Sequence, residues 1–234
     1  MHPAIARLPN ALFYQGAIRD GVSPEDRTAA LQPFAHHPLL FINCPHAEQE
    51  GAEETGAGSK RTYCNPYEAL IIRAYLAHFP REELGRVGII TPYVDQLRLL
   101  QREFAGEARE GLTVRTCDGF QGGERDYIFI SLVRSNPEGN IGFTGEESRV
   151  NVSITRARRG LMIVGNAPTF AASLNHWGAI AQYAHSQGAY FEFDAPISQE
   201  QVNALLAKKD LPAGKQGGEV EGVRGFPSFE EYRQ

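Results

Sequence analysis

Short runs of consecutive apolar residues recur along this chain, separated by stretches with helical spacing, and that alternation leaves few folds open. Leu39-Leu-Phe-Ile42, Val87-Gly-Ile-Ile90, Tyr127-Ile-Phe-Ile-Ser-Leu-Val133 and Gly160-Leu-Met-Ile-Val164 read as strands buried on both faces. Leu112-Thr-Val-Arg-Thr116 and Tyr190–Phe193 are further strand candidates. A helix starting at Asn65 or Pro66 would place Ala69, Ile72, Leu76 and Phe79 on one face. Thr91-Pro92 supplies a threonine N-cap and a proline at the first turn of a second helix, with Val94, Leu97, Leu100 and Phe104 as its stripe. Another helix is predicted near Pro168–Ala184. Strands without a polar face must be covered on both sides, so the pattern predicts an α/β fold of three layers, a largely parallel sheet flanked by helices. The core is expected over residues 1–206. From Ala207 onward Gly, Lys, Glu and Pro dominate, which predicts a flexible tail at 207–234. Residues 1–38 yield only short apolar pieces such as Ala11–Tyr14, and Glu48–Lys60 reads as an acidic, glycine-rich loop.

In a parallel sheet the working surface lies beyond the carboxyl ends of the strands. Thr91-Pro92-Tyr93, Thr116 to Glu124 and Arg134 to Asn136 each follow a strand, so they are expected to share one edge. Thr116-Cys-Asp118-Gly-Phe-Gln121-Gly122-Gly123-Glu124 adds paired glycines, which let backbone N–H groups approach a ligand, beside the polar groups of Asp118, Gln121 and Glu124. A structural turn with solvated acids would look the same. The stretch Arg149 to Arg158 reads as a helix with Val150, Ile154 and Ala157 on its buried stripe. Arg149, Ser153 and Arg156 form a second row, and Asn151, Thr155 and Arg158 a third. Alone this is a solvated basic helix. Anchored by its stripe, it could instead deliver a planar, permanently charged guanidinium to a phosphate.

The bulk charge constrains partners. With a formal net charge of −5, any contact with nucleic acid must come from a local basic surface. No run approaches the roughly 18 apolar residues of a membrane span, so no membrane partner is expected. Cys44, Cys64 and Cys117 are irregularly spaced, which argues against a disulfide framework and for a cytosolic or nuclear compartment. Cys44-Pro-His46 near His36-His37 lacks a second ligand pair, so no metal site is predicted.

Taken in order, these segments resemble the second RecA-like domain of superfamily 1 helicases of the nonsense-mediated-decay type. The resemblance rests on Thr91-Pro-Tyr93, Asp118-Gly-Phe-Gln-Gly-Gly-Glu-Arg-Asp-Tyr-Ile128, Val133-Arg-Ser-Asn136, Ile141-Gly-Phe143, Arg149-Val-Asn-Val-Ser-Ile-Thr-Arg-Ala-Arg158 and Ile163-Val-Gly-Asn166. Phe13 to Val22 and Asn65-Pro-Tyr-Glu68-Ala69 also match, and the likeness runs over roughly residues 1–195. It implies a RecA-like fold of the P-loop NTPase class. By that resemblance Arg156 is the catalytic arginine finger toward the γ-phosphate of ATP, and Gly122, Glu124 and Arg158 join it in facing the nucleotide. Thr91, Pro92, Tyr93, Thr116 and Asp118 would form the edge holding the sugar–phosphate backbone of single-stranded RNA or DNA. Gly123 stands where the family usually carries a basic residue, and Arg125 is expected to replace that charge.

The sequence holds no G-x-x-x-x-G-K-[ST] phosphate loop: Gly51 to Lys60 has glycines and a lysine at the wrong spacing. ATP with Mg²⁺ is therefore expected to sit mainly on a first RecA-like domain, in cis or in trans. Met1-His2-Pro3 coincides with the end of the family's Gln-Tyr-Arg-Met-His-Pro motif, so the chain is expected to continue a longer protein. Two other readings remain at this stage. One is a non-catalytic module that holds nucleic acid or docks on a helicase. The other is an interaction module whose Phe226, Phe229 and Tyr232 dock a partner as a short helix.

Overall fold

A computed structural model of the chain describes residues 1–31, 33–50, 62–173, 175–192 and 215–216. Its strands are β1 (Leu39–Asn43), β2 (Gln49–Glu50), β3 (Tyr63–Cys64), β4 (Val87–Thr91), β5 (Thr113–Thr116), β6 (Arg125–Ser131), β7 (Ala157–Gly165), β8 (Tyr190–Glu192) and β9 (Lys215–Gln216). Its helices are α1 (Pro3–Phe13), α2 (Pro66–Leu76), α3 (Val94–Glu103), α4 (Ala105–Arg109), α5 (Glu147–Ile154), α6 (Ala167–Ala172) and α7 (His176–Ser186). The main sheet runs in the order β5-β4-β6-β7-β1-β8-β9, with β2 and β3 forming a separate antiparallel pair. All neighbours from β5 to β8 are parallel. Only β9 is antiparallel, to β8.

Alternation along each strand makes the layers. In β1, Leu39 and Phe41 join Ile128, Ile130, Leu161 and Ile163 in one buried cluster, under α1, α5, α6 and α7. Leu40 and Ile42 join Ile89, Phe129, Met162 and Val164 in the other, under α2 and α3. Each fully buried aliphatic or aromatic side chain contributes about 1.5–3 kcal/mol relative to exposure, so neither face can be left open. Phe34 lies so close over β7 that a Cβ at Gly160 would stand 2.6 Å from its ring.

The three-layer parallel sheet read from the sequence is the fold, but several elements differ from expectation. Residues 3–13 form a helix that the proline content concealed: Pro3 sits in its first turn, and the His2 Nδ1 accepts from the Ala4 N–H at 3.1 Å. Thr91 is not an N-cap. It is the last residue of β4, paired with Thr116, and α3 starts at Val94 without a side-chain cap. Val94 is consequently 45% exposed, and Gln96 with Leu100 takes the buried positions of that helix. The helix predicted near Pro168–Ala184 is two, α6 and α7, because Asn175 caps the second by accepting from the Trp177 and Gly178 N–H groups. The tail aromatics Phe226, Phe229 and Tyr232, the 206/207 boundary and residues 51–60 of the loop read over Glu48–Lys60 lie outside the described residues, while Gln49 and Glu50 of that loop form β2. Within the segment read as a tail, Lys215 and Gln216 pair with β8.

The largest correction concerns the basic stretch. The helix ends at Ile154, and Ala157 already pairs with Arg125 in the sheet. The Thr155 hydroxyl turns back to the Asn151 and Val152 carbonyls, closing the helix end. Arg156 therefore stands in the turn between α5 and β7, and Arg158 is a strand residue. The two expected cation rows do not extend past Ser153.

Candidate functional site

Strand register decides which residues can meet. Thr91 lies level with Thr116 at the carboxyl edge of the sheet, whereas Arg125 lies level with Ala157 at the amino edge. Since β5 and β6 both run parallel to β4, the loop from Cys117 to Glu124 must recross the full height of the sheet. It does so over Gly88, whose missing side chain makes room for the buried ring of Phe120. Gly122 and Glu124 thus come out at the opposite edge from Thr116. The expectation of one shared edge is corrected to two.

The amino edge gathers Gly122, Glu124, Arg156 and Arg158. Arg158 donates from Nε to the Glu124 carboxylate at 2.7 Å, both groups being about half exposed. That guanidinium holds the Glu124 carboxyl below the usual range, while the carboxylate raises Arg158. Arg156 is fixed differently. Its Nε donates to the Val152 carbonyl at 2.9 Å, one terminal nitrogen to the Gly123 carbonyl at 3.3 Å, and the other to the Thr155 hydroxyl at 2.7 Å. Among the described residues no carboxylate is paired with Arg156. Its guanidinium is oriented by neutral acceptors, with the Glu124 carboxylate near enough to feel its charge but not paired with it, which leaves the fork open to an anion. The chain start reaches the same edge, with the His2 N–H donating to the Arg158 carbonyl at 2.7 Å. Arg125 borders this group: its side chain donates to the Glu124 carbonyl at 2.8 Å and to the Thr113 hydroxyl at 2.9 Å, and its N–H donates to the Arg156 carbonyl at 3.0 Å.

The carboxyl edge is more enclosed than the sequence implied. Pro92 and Thr116 are partly exposed and Asp118 exposed, but Thr91 and Tyr93 are buried. Tyr93 lies between Tyr63, at 5.5 Å edge-on, and Phe143, at 4.6 Å. Its hydroxyl meets a donor from Arg134 at 3.3 Å and the Thr144 hydroxyl at 3.4 Å. Arg134 is nearly buried, ion-paired with Glu48 at 2.9 Å and stacked 4.1 Å over the Tyr63 ring. Glu48 also accepts from the Ser135 N–H and from the Asn136 amide.

Beneath this network lies Glu68, which is completely buried. It accepts from the Ser131 hydroxyl and, at 3.0 Å, from the Val133 N–H. Val133 has φ +73°, strained for a β-branched residue, and it is this backbone turn that aims Arg134 along the edge. Burial is the largest influence on Glu68 and pushes its carboxyl up to about 8, against the lowering effect of those hydrogen bonds. Gln96 completes the layer, donating to Ser131 at 2.9 Å and to the Asn65 carbonyl at 3.1 Å. Sequence reading overlooked Glu68, Gln96, Glu48 and Phe143 as site-forming residues. Glu68 gave one signal: it falls four residues before Ile72, on the buried stripe of α2, where a solvated acid does not belong.

A RecA-like α/β domain whose two sheet edges carry an arginine held by neutral acceptors and a tyrosine–arginine network defines the class. Residues 1–168 match the AAA domain family. The chain is 33% identical to the Drosophila melanogaster protein named Regulator of nonsense transcripts 1 homolog, over 78% of this chain and 16% of that protein. It is 34% identical to Helicase sen1 of Schizosaccharomyces pombe, over 80% of this chain and 11% of that protein. With the ATP-dependent helicase NAM7 of Saccharomyces cerevisiae identity is 28%, over 99% of this chain and 25% of the relative. The chain belongs to the superfamily 1 helicases of the nonsense-mediated-decay type. It spans between about a tenth and a quarter of the length of these relatives.

Proposed function

We propose that this chain is the second core domain of an ATP-dependent helicase acting on single-stranded RNA or DNA, and that Arg156 is its arginine finger. The observation that carries this reading is the state of Arg156: held by three neutral acceptors, with no carboxylate partner among the described residues, at an edge shared with Glu124 and Arg158. A guanidinium fixed before the reaction stabilises charge that develops in the transition state without being reorganised at that moment. Arg158, kept in place by Glu124, and the backbone at Gly122 would face the nucleotide's phosphates and sugar. ATP with Mg²⁺ supplies the transferable phosphoryl group when bound, held mainly by a first RecA-like domain in cis or in trans. Pro92, Thr116 and Asp118, backed by Thr91 and Tyr93, would form this domain's part of the nucleic-acid track, touching sugar and phosphate rather than base edges.

The isolated chain should fold and yet show no steady ATP turnover, because the groups assigned to it act on phosphates bound elsewhere. Joining it to a phosphate-loop domain of the same family should restore nucleic-acid-dependent hydrolysis. Steady turnover by the isolated chain, or a joined protein that binds ATP without hydrolysing it, would overturn the reading.

A further inference from the structure

The two edges are far apart, yet one element touches both. Helix α5 runs as the crossover between β6 and β7, so it must descend from the carboxyl edge to the amino edge. Its eight residues make a rod of about 12 Å. Val150 and Ile154, both fully buried, seat it in the core. Ser153 links it to the end of β5, its hydroxyl lying 3.2 Å from the Cys117 sulfur. At its lower end Arg156 returns a hydrogen bond to Val152 on its last turn, so the guanidinium moves with the helix.

At its upper end the helix is also tied to the carboxyl edge through Arg149. Arg149 stacks 5.1 Å over the Phe143 ring, and Phe143 lies 4.6 Å from Tyr93. Arg149 also reaches Glu146 at 2.7 Å and Asp118 at 3.4 Å. Phe143 is only half-buried, and the turn carrying it is fitted tightly to the edge. Gly142 has φ +53°, and a Cβ there would stand 3.0 Å from the Tyr93 hydroxyl and 3.1 Å from Arg134. A displacement of Tyr93 or Arg134 therefore has to move this turn, and with it the ring on which Arg149 rests.

We propose that Phe143 is a positioning residue that couples the nucleic-acid edge to Arg156, by way of Arg149 and the rigid helix α5. Nucleic acid seated at Pro92 and Thr116 would set the height of α5 and so the placement of the finger. The proposal rests on the function inferred above, and on a physical connection between two sites rather than on their separation.

The test uses the two-domain protein, with ATP turnover measured with and without saturating oligouridylate or oligodeoxythymidylate. Phe143→Ala should lose about fivefold or more of the stimulation, read as the ratio of the two rates in the same variant at saturating oligonucleotide, within the usual range of coupling between sites. Phe143→Tyr, which keeps the ring, should retain the stimulation. Arg149→Gln should repeat the loss, and it reports on the same link if Phe143→Ala fails to fold. Full stimulation in both Phe143→Ala and Arg149→Gln would overturn the proposal, as would a wild-type protein whose turnover ignores both oligonucleotides. Failure of the finger assignment reads out separately, as a basal rate that survives Arg156→Ala.

Discussion

Replacing Glu68 by glutamine measures the cost of holding a carboxyl beneath the carboxyl edge. Glu68 is fully buried, and its carboxyl is raised from 4.5 to about 8. A group whose folded value lies above its unfolded value stabilises the fold fully below the unfolded value. That contribution is lost as pH rises through the folded value. Wild-type stability should therefore fall between about pH 5 and pH 8 by an amount the neutral variant does not share. At 1.36 kcal/mol per unit, a shift of this size is worth on the order of 5 kcal/mol, of which about 3 kcal/mol accrues in that window. Glutamine keeps the volume and an acceptor for the Val133 N–H, so the variant should still fold. The assay is urea unfolding of both proteins at several pH values, read as the difference between their free energies. That difference should shift toward Glu68→Gln as pH rises. A difference that is flat from pH 5 to 8, or that shifts toward wild type, would mean that the fold does not hold Glu68 in its protonated form.

Gly160→Ala should lower stability by about 1–3 kcal/mol, because the new methyl meets the Phe34 ring at 2.6 Å; an unchanged melting temperature would contradict the packing described. Oligonucleotide binding to the chain should be weak and should fall as salt rises, given the net charge of −5. Crosslinks confined to residues after Ala207 would remove the assignment of Pro92, Thr116 and Asp118. Glu124→Ala should free Arg158 from its 2.7 Å partner and lower nucleotide affinity in the two-domain protein more than it lowers the oligonucleotide affinity. Equal losses in both would mean that the pair is merely structural.

The sheet was legible because burial on both faces leaves a strand no polar side, and β1, β4, β6 and β7 all show that in their composition. Helix α2 was legible for a second reason, its asparagine cap followed by proline. The end of α5 was not. Val150, Ile154 and Ala157 keep helical spacing, and only the pairing of Ala157 with Arg125, a long-range contact, breaks it. The separation of Thr116 from Glu124 was hidden for a related cause: a loop's sequence does not say that it recrosses a sheet. Tyr93 and Arg134 were recognisable as edge residues, but their burial depends on Glu48, Tyr63 and Phe143, which lie up to dozens of positions away. Which residues follow a strand was readable; which edge they occupy was a matter of topology.

The proposed activity depends on Arg156, and substituting this residue in the two-domain protein is the decisive experiment. Arg159 is the control, a neighbouring cation bound to Asp126 at 3.5 Å and to the Thr28 carbonyl at 2.7 Å. Steady-state ATP hydrolysis should fall by on the order of 10³-fold or more in Arg156→Ala, with nucleotide affinity little changed, since a finger acts on charge that develops during phosphoryl transfer. Arg156→Lys should stay poor, because an ammonium cannot reproduce the planar fork, and Arg159→Ala should remain close to wild type. Near-wild-type turnover in Arg156→Ala, or equal losses at Arg156 and Arg159, would show that the arginine at the end of α5 only braces the turn.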